Sequence, residues 1–208
     1  MKVITLLSQK GGTGKTTIAA ALSVEAERNN VQTLVIDIDP QASITKWGDR
    51  REAETPLVVS AQAERLERLL SEAETTGADL VVIDTPGKSG DASALKAARL
   101  SDFVLIPSRP SAHDINAISD SIDVSLLAKK NPFVLLNAVP PNADRLFSEI
   151  KGVLEGNYNV PVVPFYLAHR SAYMHSALTG QGAQEFDPEG KASEEIKRLF
   201  DWIRSMLS

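Results

Sequence analysis

Two lysines stand five residues apart around a glycine-rich stretch near the start of the chain: Lys10 and Lys15, within LLSQKGGTGKTTIAAAL at residues 6–22. A loop of the form G-x-x-x-x-G-K-[ST] cradles phosphates with its backbone N–H groups, and its lysine reaches the β- and γ-phosphates. Gly14, Lys15 and Thr16 satisfy the end of that pattern, but its first position falls on Gln9, and the extra lysine sits inside it. Glycines at 11, 12 and 14 let the backbone take conformations closed to other residues, so that successive N–H groups point inward. Lys15 adds a point charge, and the Thr16 hydroxyl suits a Mg²⁺ ligand. The predicted nucleotide contacts are Gly11, Gly12, Thr13, Gly14, Lys15, Thr16 and Thr17. The plainer alternative is a glycine-rich turn with a surface lysine. It accounts less well for a strand, a turn, Lys-Thr and a helix that all agree.

Two apolar runs end in carboxylates. LVIDIDP brings Asp37 and Asp39 to one strand end, and LVVIDTPG does the same for Asp84. Beside a phosphate site, one acidic residue can hold Mg²⁺ directly or through water and another can orient the attacking water. A single Asp after a strand is more often a cap or turn residue; three of them near a phosphate loop favour the chemical reading.

These groups need a scaffold that brings strand ends together. Short β-branched runs at 3–7, 32–37, 57–60, 80–84, 103–107, 133–137 and 160–163 alternate with helical patterns. That alternation predicts an α/β fold, a single doubly wound and mostly parallel sheet with helices on both faces. The loop after the first strand then leads into a helix beginning near Lys15. A helix over 64–74 presents Leu66, Leu69 and Leu70 on one side. Nothing divides the chain, so residues 1–208 read as one domain. Its 43% apolar and 24% charged residues are ordinary for a folded protein, and cysteine is absent, which excludes a cluster-carrying reductase held by thiolates. The net charge of −5 argues against coating nucleic acid by bulk electrostatics, while leaving room for a local basic patch. The run at 3–7 is too short for a signal peptide and no apolar stretch approaches the roughly 20 residues of a membrane span, so a cytoplasmic location is expected.

KGGTGKTT, VIDIDPQ and VVIDTP, in this order and spacing, resemble the ParA/MinD family of deviant Walker ATPases, and small ParA-type partition proteins in particular, across nearly the whole chain. The resemblance implies a weak, partner-stimulated ATPase using ATP and Mg²⁺. It implies that Lys10 crosses a dimer interface to the mate's nucleotide, that Asp39 positions the hydrolytic water, and that Asp37 lies near Mg²⁺ with Asp84 as the Walker B acid. Catalysis is thus expected of Lys10, Lys15 and Asp39, and metal binding of Thr16, Asp37 and Asp84. A guanine signature N-K-x-D is absent, so ATP is preferred over GTP. Asn137, ending FVLLNAV, is similar in position to a base-contacting Asn, although a turn-forming Asn is an equal contender. In IPSRPSAHD, Pro107, Pro110 and Asp114 resemble a turn near the nucleotide and interface, or serve as ordinary loop and capping residues.

The implied partners are a second copy with ATP, DNA without sequence preference, and a ParB-like or other cargo-binding activator, with nucleoid association in the ATP state. Arg170 matches a DNA-contacting arginine of the family, but Tyr173 replaces a second basic position. Lys129, Lys130, Arg145 and Lys151 read more simply as a solvated face. One alternative is a MinD-like membrane output through the last helix, SEEIKRLFDWIRSMLS. Its Ile196, Leu199, Phe200, Ile203 and Leu207 share a face, but its polar side mixes both charges, favouring packing against the sheet. The other alternative is a metabolic ATP-using enzyme on the same scaffold.

Overall fold

The most apolar runs of the chain lie at the centre of one parallel sheet, where both faces are covered. The computed structural model describes residues 1–87 and 92–208. In chain order, β1 (Lys2–Leu6) is followed by α1 (Lys15–Arg28), β2 (Thr33–Asp37), α2 (Ser43–Gly48), β3 (Leu57–Ser60), α3 (Leu66–Thr75) and β4 (Leu80–Asp84). Next come α4 (Ala92–Leu100), β5 (Phe103–Ser108), α5 (Ala112–Asn116), α6 (Ile118–Leu127) and β6 (Phe133–Leu136). Four helices complete the chain: α7 (Asp144–Asn157), α8 (Ser171–Leu178), α9 (Ala183–Phe186) and α10 (Lys191–Leu207). The strand order is β3-β2-β4-β1-β5-β6, with every pairing parallel.

Every residue of β4 and β5 is buried. Because side chains alternate across a strand, Val82 packs with α1, α2 and α10 on one face, while Val81 and Ile83 pack with α3 on the other. Both layers are therefore needed, as the doubly wound reading requires. The expected helix over 64–74 forms as a 3₁₀ turn (Ala63–Arg65) running into α3, with Leu66 and Leu70 buried and Leu69 half-buried. The run at 160–163 falls short of a strand. It makes a parallel bridge between Val134 and Val162, and the N–H groups that Pro161 and Pro164 lack cannot lengthen the ladder.

The last helix belongs to the core. Ile196, Leu199, Phe200 and Ile203 are no more than 3% exposed, and the Trp202 ring meets Phe133 edge-on at 5.1 Å between centroids. Its apolar face is thus already covered by α1 and the sheet. Among the described residues, no helix is long and apolar enough to cross a membrane. Removing the Phe200 ring should leave a cavity in this layer and cost about 3–5 kcal/mol. Urea unfolding of Phe200→Ala checks this; a loss under about 1 kcal/mol would mean that α10 is not a core element.

Candidate nucleotide-binding site

The site lies where two neighbouring strands send their helices to opposite faces. Strands β1 and β4 pair directly, with Leu6 beside Asp84. The chain leaves β1 for α1 on one face, and α4 follows β4 and packs on the other. Such a switch point opens a crevice at the carboxyl ends of the strands, the usual place for a ligand in an open α/β sheet. Residues 7–14 fill its floor. Gly12 and Gly14 take left-handed conformations, φ 79° and 100°, which only glycine adopts without strain. Helix α1 begins at Lys15, so its first N–H groups, without partners inside the helix, face the crevice with the positive end of the dipole.

Lys15 is 7% exposed and, among the described residues, forms no ion pair within 4 Å. Burial pulls its ammonium below the usual lysine range, and the charges of Asp84 and Asp39 only partly offset this. A buried cation without an ion-pair partner among the described residues is suited to a multiply charged anion.

The three carboxylates differ sharply in what they can still bind. Asp84 is 1% exposed. Its Oδ2 accepts a 2.6 Å bond from the Thr16 hydroxyl, and its Oδ1 is buried without a hydrogen-bond partner among the described residues. Burial pushes its pKa up to about 7, although the Thr16 bond and the charge of Lys15 act to lower it. Asp37, beside Asp84 in register, accepts from the Asp39 N–H at Oδ1 and from the Thr45 N–H and hydroxyl at Oδ2. Those bonds use three of about four acceptor positions, so Asp37 mainly fixes Asp39 and the start of α2. Asp39 is half-buried, and its Oδ1 accepts from the Gln41 N–H. The set suits a hard divalent cation, which prefers oxygen ligands. Thr16 and Asp84 are the pair that would hold Mg²⁺, with Asp37 behind them.

Lys10 goes elsewhere. Its ammonium pairs with Asp114 Oδ1 at 2.7 Å, the two side chains being 29% and 10% exposed. Asp114 lies in the first turn of α5, whose cap is Ser111. Burial pushes the Asp114 carboxyl up, but bonds from Lys10 and Ser111 and the charge of Lys10 outweigh it and hold the carboxyl below its usual range. Gln9, where the ordinary pattern has glycine, is buried, and its N–H donates to Ser121 of α6.

The remaining expected residues fall as follows. Thr13 is buried and Thr17 half-buried, both beside Lys15. Asn137 lies just beyond β6, and its Nδ2 donates to the Thr13 carbonyl at 2.8 Å. Arg170, just before α8, is held by Glu195 of α10 at 2.6 Å. Sequence reasoning missed Thr45, and it missed Gly87, where a Cβ would come within 3.1 Å of Gly11 and of the Lys15 amine. The signal for Gly87 was a glycine directly after Asp-Thr-Pro. Asp114 carried no sign of its lysine partner, because the two are brought together only by the packing of β1 beside β5.

A parallel α/β sheet with a phosphate loop at its switch point defines a nucleotide-binding P-loop protein. The model of the CobQ/CobB/MinD/ParA nucleotide binding domain matches residues 4–182, and the chain belongs to that family. It is 28% identical over 212 residues to the maintenance of carboxysome distribution protein A of Gloeobacter kilaueensis, covering 97% of this chain and 95% of that protein. It is also 28% identical over 229 residues to Protein ParA of Rhizobium radiobacter, covering 98% and 100%. The fold is shared with the septum site-determining protein MinD complexed with Mg-ADP from Pyrococcus horikoshii OT3, at a TM-score of 0.72 and 17% identity over 97% and 95% of the two chains. The chain is thus a ParA/MinD-like ATPase, of a family involved in positioning and partition.

The Asp84 carboxyl has a pH signature in the ligand-free protein. A carboxyl whose folded pKa of about 7 exceeds its unfolded value of about 3.9 favours folding below pH ~4, and that contribution is lost as pH rises to about 7. Asp84→Asn should therefore stabilise the ligand-free protein by on the order of 4 kcal/mol at pH 8, and the gain should shrink towards pH 4. Thermal melts of both proteins without Mg²⁺ across this range check the sign; a gain that grows in acid would contradict it.

Proposed function

We propose that this chain is an ATP-driven positioning ATPase. ATP joins two copies face to face, the pair holds DNA without sequence preference and so sits on the nucleoid, and a cargo-bound activator protein stimulates hydrolysis and releases it. The observation that carries the reading is the divergence of the two lysines. Lys15 is buried in the crevice, whereas Lys10, five residues away, is partly exposed and, among the described residues, held by a single carboxylate on α5. The pair is partly screened by solvent on the lysine side. At equal distance and dielectric the attraction scales with charge, and a nucleoside triphosphate offers several negative charges where Asp114 offers one. Lys10 can therefore leave Asp114 for the mate's γ-phosphate, and nucleotide state would then govern pairing.

In this mechanism the backbone of residues 11–16 and Lys15 bind the phosphates of the chain's own nucleotide. Asp39, fixed through its N–H on Asp37, orients the attacking water. Thr16 and Asp84 would hold Mg²⁺, which would supply positive charge against the charge developing on the phosphate oxygens. The names of the relatives, one for carboxysome distribution and one for ParA, support positioning of a large cargo over a metabolic conversion.

Light scattering with and without ATP tests the switch. Wild type should double in mass with ATP, Asp39→Ala should accumulate as the ATP-bound dimer, and Lys10→Ala should keep nucleotide binding while losing activator-stimulated turnover. Wild type that stays a monomer under both conditions removes the reading.

The DNA arm has its own measurement. Since Glu195 holds Arg170, Glu195→Gln should free the guanidinium and tighten DNA binding. Arg170→Ala should lower both the affinity and the salt slope, the latter by about one. An unchanged slope in Arg170→Ala would place the DNA surface elsewhere.

A further inference from the structure

Helix α2 is too short to stand alone. It has six residues, and its cap, Ala42, takes a left-handed conformation at φ 50° and offers no side-chain bond; isolated helices below about 12 residues are marginal in water. It is held from both ends instead. At its C-terminal end Trp47 Nε1 donates to the Gln181 carbonyl at 3.0 Å. Arg51, just beyond, donates to the Gly180 carbonyl at 2.8 Å and forms a two-pronged pair with Glu185, while Ile44 and Trp47 are buried beneath. Near its start, the Thr45 N–H and hydroxyl both donate to Asp37 Oδ2, at 3.1 and 2.7 Å. Asp37 is fully buried, and its Oδ1 accepts the Asp39 N–H at 3.0 Å. One carboxylate thus closes residues 37–45 upon themselves, with the anchored helix on one oxygen and the Asp39 peptide on the other.

We infer that Thr45 is a positioning residue for hydrolysis: its hydroxyl fixes the Asp37 carboxylate, and through it the Asp39 peptide that carries the water-orienting group. The carboxylate torsion of an aspartate is intrinsically broad, so its direction is set by the donors around it. Of the three donors on Asp37, the Thr45 hydroxyl makes the shortest bond. This inference rests on the reading that Asp39 orients the attacking water. It differs from a merely structural role for Thr45, and from a role in metal binding through Asp37, in what is lost with the hydroxyl: the chemical step slows while the affinities for nucleotide and metal are kept.

The test measures single-turnover hydrolysis of Mg-ATP, and Kd for Mg-ATP by calorimetry, on wild type, Thr45→Val, Thr45→Ser, and Asp39→Ala with and without Thr45→Val. Thr45→Val keeps the shape and loses the hydroxyl. Its rate should fall by at least about tenfold and up to about a hundredfold, the scale of loss from a misplaced group. Its Kd should stay within about twofold of wild type, as for a change felt only in the chemical step. Thr45→Ser, which retains the hydroxyl bond, should keep the rate within about threefold. Adding Thr45→Val to Asp39→Ala should slow it no further, because residues that act through one another are not additive. The Mg²⁺ concentration giving half the maximal rate should not move. Melting curves report the folded fraction, and if Thr45→Val melts below the assay temperature, Thr45→Ala against Thr45→Ser isolates the same hydroxyl. Equal slowing in Thr45→Val and Thr45→Ser assigns the effect to packing, and a Thr45→Val rate restored by excess Mg²⁺ assigns it to the metal. Further slowing of Asp39→Ala gives Thr45 a role apart from Asp39. Each of these overturns the inference, as does a wild-type rate in Thr45→Val. A wild-type rate in Asp39→Ala itself overturns the underlying reading of Asp39, a result distinct from the others.

Discussion

Charge that must be desolvated organises this molecule. Lys15 and Asp84 are nearly excluded from solvent at the open end of a parallel sheet, where an unpaired ion is costly. Their environments displace both groups from ordinary titration in the directions that burial dictates, the lysine downward and the carboxyl upward. A site built this way is poised for a ligand carrying both signs, a polyanion with its divalent cation. The loop glycines, the first turn of α1 and the Thr16 hydroxyl supply the remaining contacts, and each depends on the sheet placing β1 between β4 and β5.

From that constraint follows the separation of the two lysines. Lys15 begins a helix and is drawn into the crevice. Lys10 precedes the glycines and reaches the first turn of α5, where Asp114 is kept ionised by the same lysine and by Ser111. The pair holds Lys10 against α5 and apart from Lys15, although both lysines flank the same glycines. Arg170 shows the same economy of partners on another surface: Glu195 holds the guanidinium while also accepting from the Ala168 N–H and the Tyr173 hydroxyl. In both cases a cation with a candidate external partner rests on an internal carboxylate.

The carboxylates divide their roles by hydrogen bonding. Asp37 and Asp84 occupy equivalent places on adjacent strands, yet Asp37 is almost fully engaged by Thr45 and Asp39, whereas Asp84 retains an oxygen without a partner among the described residues. Equal sequence contexts, an apolar run ending in Asp, thus produce one residue that organises its neighbours and one that remains available. The last helix illustrates a parallel division on the apolar side. Its face could have served a lipid surface, but Phe103, Phe133 and Phe165 surround Trp202, and the face is buried in the core.

Local patterning by itself determined the parallel α/β class, the phosphate loop, the helix starting at Lys15 and the carboxylates at strand ends. Each of these is written in contiguous residues, by period, by glycine spacing or by an apolar run, and the motifs set the family. Only the tertiary structure decided that Lys10 rests on Asp114, that Asn137 props the Thr13 carbonyl, that Gly87 must be small beside Gly11, and that residues 160–163 stop at a bridge. Those contacts join segments as far as 124 residues apart through the order in which strands pair. A local pattern carries no record of that order, because the energy of each contact depends on which strand ends the sheet brings side by side.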